Sequence, residues 1–433
     1  MVSKPRPGRK LAPSPAERPV PPSVLGEQSV DAVGLDTIAE NARDLLTRAR
    51  AAALEPGFAK VLRRFSLAEA AELLNVSPRT IQRGAQSGQL PSGERNRRNQ
   101  LYFSLTEIHA MRERLGRHAV RPAGAPPAVV AIANFKGGVG KTSTAIHLGQ
   151  YLALRGYRVL MIDLDAQASL TNLFGLIPDS EVASEQTALP YFEGTATSLR
   201  PAIRETYWPG MHLLPANLAL YGAEFSLSVR QKGGEDGFRF YRSLHDGLAE
   251  FRDEYDVIVI DTPPALSFIT TNALFAADGL VIPVPMAMMD YASATQFFAL
   301  LTDVVRIIDE YEGQPKRFAF LRLLVSKYEQ NSASQQTIRD WVRAAFGSKV
   351  LDNSMGQTTV LRVGPAMETA YEVSSYQKNR RTLDRAIMLL DAVNREIEDL
   401  VRAHWVRCAA VSAQLPQPES EVLLSRTEDE VAA

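Results

Sequence analysis

Between residue 128 and about residue 405 the chain alternates short apolar runs with amphipathic stretches. The runs are VVAIAN, RVLMIDLD, MHLLPAN, DVIVIDT, GLVIPVP and FAFLRLLVSK. Runs of this length and composition read as buried strands, and the stretches between them as helices. Together they predict an α/β fold, a mostly parallel, doubly wound sheet covered on both faces. Upstream the period lengthens. Leu35, Ile38, Ala39, Ala42, Leu45, Leu46 and Ala49 recur at three- and four-residue steps, which predicts an amphipathic helix over 30–53, stopped by Glu55-Pro56-Gly57.

Residues 58–117 read as a compact helical unit. Ser66 and Glu69 form a capping box that opens one helix, and Asn75-Val76 makes a turn. Ser77-Pro78, a cap followed by proline at the first helical position, opens a second helix. Ser104 and Glu107 form a further capping box. The organisation that follows is a basic, Pro-rich disordered arm at 1–29, the helix at 30–56, the helical unit at 58–120, the α/β domain at 128–406 and an acidic tail at 407–433.

Overall charge adds little, because 48 Lys and Arg offset 49 Asp and Glu. Locally it is informative: residues 60–122 hold twelve Lys/Arg against five Asp/Glu, an excess of seven. A single cysteine, Cys408, excludes a disulfide framework and fits a reducing cytosol. The apolar stretch Ala273–Met289 is broken by Asp278, Pro283 and Pro285, so no membrane span is expected.

The strongest chemical signal is Asn134-Phe135-Lys136-Gly137-Gly138-Val139-Gly140-Lys141-Thr142-Ser143. It lies between a predicted strand and a predicted helix, the context a phosphate-binding loop needs. Glycines let backbone N–H groups turn inward at a helix N-terminus and form an anion nest. Lys141 would reach the β- and γ-phosphates, and the Thr142 hydroxyl would hold Mg²⁺. Asp163 and Asp165 end the second run, and Asp261 ends DVIVID at the carboxyl edge of the sheet, where ligands bind. A DxD pair alone is a weak pattern, equally compatible with a solvated strand-end turn.

In the helical unit the second helix, SPRTIQRGAQ, points Ile81 inward and leaves Arg79, Thr80, Gln82 and Arg83 outward. A loop with Arg95, Arg97 and Arg98 follows. Capped helices, turn and basic loop together are the pattern of a DNA-reading helix-turn-helix with a wing. The blander alternative is a small bundle whose basic face contacts protein.

These motifs resemble the ParA/MinD/nitrogenase-iron-protein superfamily. KGGVGKT matches its deviant Walker A loop, IDLDAQAS its DxDxQ motif, and DVIVIDTPP its Walker B strand. Asp165 follows Lys141 by 24 residues, the spacing of that superfamily, although Ala166 stands where proline is usual. An iron protein would need more cysteines, and a membrane-bound member a basic C-terminal helix, where this chain carries Glu428, Asp429 and Glu430.

With the helix-turn-helix included, the chain resembles ParA-type plasmid partition ATPases, nearer the RepA group of RepABC-type replicons. The run Thr369-Ala370-Tyr371-Glu372 belongs to that likeness. The resemblance implies an ATP/ADP- and Mg-binding site at Lys136, Gly137, Gly138, Val139, Gly140, Lys141, Thr142, Ser143, Asp163 and Asp261. Metal would be held through Thr142 and Asp261, and catalysis carried by Lys136, Lys141 and Asp165. Asp165 would orient the attacking water, and Lys136 would reach the nucleotide of a second copy in a sandwich homodimer.

It further implies nonspecific nucleoid binding, with Arg380 and Arg381 as candidate contacts, stimulation by a ParB/RepB-type adaptor, autorepression through specific operator DNA, and a cytoplasmic, nucleoid-associated location. The helix at 30–53 would either dimerise or pack on its own domain. The alternative function is a nucleotide-switched repressor that moves no DNA. A metabolic amidoligase of the superfamily would have no use for residues 58–117.

Overall fold

The apolar stripe of residues 30–53 forms helix α1 (Ala32–Ala53) in the computed structural model, which describes residues 31–53, 60–117, 121–233, 237–356, 368–373 and 380–414. It belongs to a unit that ends at Phe58, and its Val33, Leu35, Ile38 and Leu45 are exposed. The basic arm expected at 1–29 lies outside the described residues, as does the stop at Glu55-Pro56-Gly57.

Three serines set the next unit. Ser66 and Ser104 each complete a reciprocal capping box, with Glu69 and Glu107, and open α2 (Leu67–Leu74) and α4 (Leu105–Arg114). Ser77 caps α3 (Pro78–Gln86). Asn75 ends α2 in the left-handed conformation that asparagine tolerates, which makes the turn between α2 and α3. The unit is not purely helical. Strands β1 (Phe65–Ser66), β2 (Glu94–Arg95) and β3 (Leu101–Phe103) form a small antiparallel sheet, and the β2–β3 hairpin is the wing. Pairs this short leave no readable alternation in sequence.

The six apolar runs all become strands of one sheet: β4 (Ala128–Ile132), β5 (Val159–Asp163), β7 (Met211–Leu214), β8 (Val257–Asp261), β9 (Gly279–Pro285) and β10 (Phe320–Ser326). Their order is β10-β9-β4-β8-β5-β7, all parallel. A seventh strand, β6 (Arg204–Glu205), pairs antiparallel at the β7 edge. Two charged residues on an edge carry no hydrophobic signal, so β6 was not foreseeable. The helices in chain order are α5 (Lys141–Arg155), α6 (Ser169–Leu173), α7 (Pro178–Glu181), α8 (Leu189–Glu193), α9 (Gly222–Gly233), α10 (Ser243–Leu248), α11 (Phe268–Ala276), α12 (Met288–Glu312), α13 (Ala333–Phe346) and α14 (Arg380–Gln414).

Alternate strand residues feed two cores. Val130, Ile132, Met161 and Val259 face α5, α14 and the winged unit, whereas Ala131, Ile162, Ile258 and Ile260 face the layer containing α9, α11 and α12. Helix α14 presents Leu383, Ala386, Leu390, Val393, Ile397, Val401 and Trp405 to the first core. It runs from Arg380 to Gln414. It also takes up residues 407–414 of the expected acidic tail, because Cys408-Ala409-Ala410-Val411 continues a helical composition.

Helix α5 lies at the centre, buried from Thr144 through Leu154. Gly149 permits this: a β-carbon there would stand 2.3 Å from the Met161 sulfur on β5. The opposite side of α5 meets the Thr369–Glu372 run. Glu372 accepts hydrogen bonds from Gln150 Nε2 (3.0 Å), Trp208 Nε1 (3.1 Å), Thr369 N (2.8 Å) and the Tyr207 hydroxyl, and pairs with Lys60 Nζ at 3.0 Å. At the other end of the helix, Arg112 of α4 donates to the carbonyls of Leu73 and Leu154, both at 2.9 Å, and His109 Nε2 lies 2.9 Å from the Ala153 carbonyl. The winged unit is therefore bonded directly to the carboxyl end of α5.

Removing one partner of a buried ion pair strands the other, at a cost of about 3–5 kcal/mol. Glu372→Gln is expected to lose roughly that much stability in denaturant unfolding, because the buried Lys60 ammonium loses its Glu372 carboxylate. A loss below about 1 kcal/mol would show that the pair contributes no more than a surface bridge.

Candidate nucleotide and DNA sites

Strand register assembles the candidate nucleotide site. Ile132 at the end of β4 and Asp163 at the end of β5 both stand opposite Asp261 of the central β8. From β4 the chain crosses to β5 on one side, and from β8 it crosses to β9 on the other, so the carboxyl ends of β4 and β8 form the crevice at the switch in strand order.

The loop after β4 is held on both flanks. Asn134 donates to the Pro283 carbonyl at 2.8 Å and accepts from Lys136 N at 3.0 Å. Ser326, at the end of β10, donates to the Val139 carbonyl at 2.8 Å. On either side of Val139, Gly138 (φ 72°) and Gly140 (φ 101°) take left-handed conformations that suit residues without a β-carbon. Lys141 folds back over the loop and donates to the Lys136 carbonyl at 3.0 Å. Burial pulls its pKa down, against the carboxylates of Asp261 and Asp165.

The carboxylates divide into two kinds. Asp163 is buried and fully engaged: it accepts from Thr171 N (2.8 Å), Thr171 Oγ1 (2.7 Å) and Asp165 N (3.1 Å). Burial nevertheless raises its pKa to about 7, against those hydrogen bonds. It shapes the turn that presents Asp165, whose own carboxylate accepts from Gln167 N at 3.0 Å. Asp261 is the opposite case. It is wholly buried, and neither carboxylate oxygen makes a hydrogen bond of normal geometry among the described residues. Burial, then Asp163, pushes its pKa well up, while the Thr142 hydroxyl and Lys141 oppose the shift. An orphaned hard-oxygen donor beside a threonine hydroxyl is what a Mg²⁺ site requires.

A cleft of about 450 Å³ opens over these groups, lined by Gly137, Gly138, Gly140, Lys141, Thr142, Ser143 and Asp165, with Pro264 and Lys327 at its rim. Its volume suits a nucleotide-sized ligand. A larger cleft of about 990 Å³ lies between the winged unit and the sheet domain. Several of its charges are paired: Arg121 with Asp253 and Asp256, and Arg158 with Asp256.

Comparison with known proteins decides the family. Residues 127–312 match the AAA domain family and residues 64–116 the helix-turn-helix domain family. A Sinorhizobium fredii protein provisionally named replication protein A is 35% identical, over 81% of this chain and 89% of the relative. Protein SopA of Escherichia coli K12 is 33% identical, over 81% of this chain and 92% of the relative. The chain belongs to the ParA family of partition ATPases, in the form that carries an amino-terminal helix-turn-helix. A solved structure described as a partition protein has this fold, with a TM-score of 0.61 and 22% identity, over 86% of this chain and 99% of that one.

Within this ParA-type chain the winged unit sorts its own cations. Of the twelve basic residues, Lys60, Arg63, Arg64, Arg95, Arg112, Arg114, Arg117 and Arg121 are bonded to protein groups. Arg95, a candidate DNA contact, is exposed and closes the wing turn by donating to the Asn99 carbonyl at 2.9 Å. Arg79 and Arg83 on α3 and Arg97 and Arg98 on the wing tip are exposed, with no side-chain partner among the described residues. Thr80 and Gln82 share the α3 face, with Thr80 Oγ1 also 2.9 Å from the Ser77 hydroxyl. Arg381 is exposed in the first turn of α14, and the side chain of Arg380 lies outside the described residues.

Sequence reasoning did not anticipate Asn134, Thr171 or Ser326 as supports, nor Lys327 at the rim. The signal available for the last two was their position at the carboxyl end of a strand.

Asp261→Asn replaces a buried carboxyl whose charged form burial disfavours. The unliganded variant is expected to melt at a higher temperature than the wild type in calorimetry, as strained functional groups commonly trade stability for use. An unchanged or lower melting temperature would mean that the carboxylate is satisfied in solution.

Proposed function

We propose that this chain is a plasmid partition ATPase that binds ATP and Mg²⁺, closes into a nucleotide sandwich homodimer, and also represses its own operon through the winged helix-turn-helix. The observation that carries the reading is the meeting of the glycine nest, Lys141 and Asp165 in one cleft, beside a buried Asp261 carboxylate that makes no hydrogen bond of normal geometry among the described residues. The nest and Lys141 would bind the phosphates, and Asp165 would orient the attacking water, the main task in phosphoryl transfer. Thr142 and Asp261 would hold Mg²⁺, which supplies neutralisation of phosphate charge when bound. Lys136 would complete the pocket of a second copy.

A surface feature supports self-association. Leu218, Tyr221, Phe225 and Val229 recur every three or four residues along α9 and the turn before it, and all four are exposed. The Tyr221 hydroxyl accepts from Gln167 Nε2 at 3.1 Å, which sets this stripe beside the Asp165 turn. A second copy facing the cleft would cover it. Helix α1, with its exposed apolar stripe, would add a nucleotide-independent contact between copies.

The γ-phosphate would favour the closed pair by differential affinity, and hydrolysis would remove that preference. A ParB/RepB-type adaptor would stimulate the slow hydrolysis, and the ATP-bound pair would bind nucleoid DNA nonspecifically, with Arg380 and Arg381 among the contacts.

The test is steady-state ATP hydrolysis with and without DNA and adaptor, beside sedimentation of the ATP-bound chain. Turnover that rises with both is expected. A rate that responds to neither supports the nucleotide-switched repressor. Lys136→Ala and Phe225→Glu should each abolish ATP-dependent dimerisation while leaving ATP binding within about threefold of the wild type. Dimerisation that survives Lys136→Ala would remove the sandwich geometry from the reading.

Operator binding rests on Arg79 and Arg83 with the wing arginines. Each phosphate contact adds about 0.9 to the slope of log K against log salt. Arg97→Ala with Arg98→Ala is therefore expected to flatten that slope by about two per protomer, measured by fluorescence anisotropy across a KCl series. An unchanged slope would remove the wing from the interface.

A further inference from the structure

Lys327 lines the phosphate cleft, yet it belongs to none of the nucleotide motifs. Its neighbours fix it from both sides. Ser326 is buried and donates to the Val139 carbonyl of the glycine loop at 2.8 Å. Tyr328 is buried too: its N–H donates to the Met355 carbonyl at 3.1 Å, and its hydroxyl accepts from Arg339 Nη1 at 2.9 Å. Between these anchors Lys327 takes φ 51°, in the left-handed region that residues with a β-carbon adopt only at a cost.

Two non-glycine residues of the ATPase domain are held in that region among the described residues, Ala168 and Lys327. Ala168 ends the Asp165 turn, where its N–H donates to the Asp165 carbonyl at 2.7 Å. Both strained positions therefore flank the same cleft. Glycine would relieve the strain at 327, and the exposed side chain has no hydrogen-bond or ion-pair partner among the described residues. The fold gives that lysine no structural employment. What its position does supply is an ammonium, a compact point charge suited to phosphate, at the rim of a cleft whose floor is an anion nest.

We propose that Lys327 is a nucleotide-binding residue, which contacts the phosphate oxygens of the nucleotide held by its own subunit. This rests on the nucleotide reading above and adds to it a cation from the far strand, β10, opposite the glycine loop.

The experiment compares the full-length wild type with Lys327→Gly and Lys327→Arg, by mant-ATP titration with Mg²⁺ and by thermal melting without ligand. Lys327→Gly is expected to melt no lower than the wild type, because strain is released, while its Kd for mant-ATP rises about tenfold, the loss of one charge-assisted hydrogen bond. Lys327→Arg keeps the charge and should recover most of the affinity. Equal affinity of wild type and Lys327→Gly overturns the assignment and leaves the nucleotide reading intact. Weaker binding with a lower melting temperature and no recovery in Lys327→Arg gives the residue a structural role and overturns it also. A wild type that binds no mant-ATP overturns the nucleotide reading and this assignment together.

Discussion

Everything in this molecule is referred to the placement of one helix. Helix α5 carries the glycine nest on its amino end, and a nest is useful only if its N–H groups stay aimed at one point. The sheet fixes one side through the close approach of Gly149 to Met161. The other side is fixed by polar bonds. Gln150 binds Glu372, and Asn394 Nδ2 of α14 donates to the His147 carbonyl at 3.2 Å. A helix buried this completely could slide or rotate on purely apolar contacts, whereas directional hydrogen bonds to buried donors leave one register.

The same burial creates the tension at the site. Asp163 and Asp261 stand side by side on adjacent strands, both removed from water. For Asp163 the sequence supplies three donors within eight residues. For Asp261 the strand end supplies none, so its desolvation is offset only by Lys141 and the Thr142 hydroxyl. The unliganded fold carries the cost of an unpaired carboxylate, and a divalent cation would recover it. Two carboxylates alike in sequence thus differ in kind: one shapes a turn and the other makes no hydrogen bond of normal geometry among the described residues.

The parallel sheet was legible because buried parallel strands are written as uninterrupted Val/Ile/Leu runs, and VIVID can be little else. The caps at Ser66, Ser77 and Ser104 were legible because each cap is a local bond between residues three apart. What was illegible depends on residues far apart in the chain. Nothing in the sequence ties Ser326 to Val139, separated by 187 positions, or Glu372 to Lys60, separated by 312. Net charge cannot be apportioned for the same reason. Of the twelve cations behind the excess of seven over residues 60–122, eight are bonded to carbonyls and carboxylates that only the fold brings near.

Those consumed cations define how the two halves communicate. Arg112 is almost wholly buried, and burial lowers its pKa to about 10, yet it stays charged because it bonds the last carbonyls of two helices at once. A cation at paired helix carboxyl ends is also favoured by both macrodipoles. It joins α2 of the winged unit to α5 of the ATPase, while Lys60 joins the leader of that unit to Glu372. With bonds at both ends of the seam, the winged unit does not swing freely on the connecting segment 121–127 (RPAGAPP), which is itself tied down by Arg121 on Asp253. On the partition reading, nucleotide therefore has little freedom to act by loosening this unit. In the proposed homodimer, its influence on operator DNA would have to pass through how two whole subunits are set against each other, and the spacing between their α3 helices, not the shape of either reading head, would be the quantity that ATP controls.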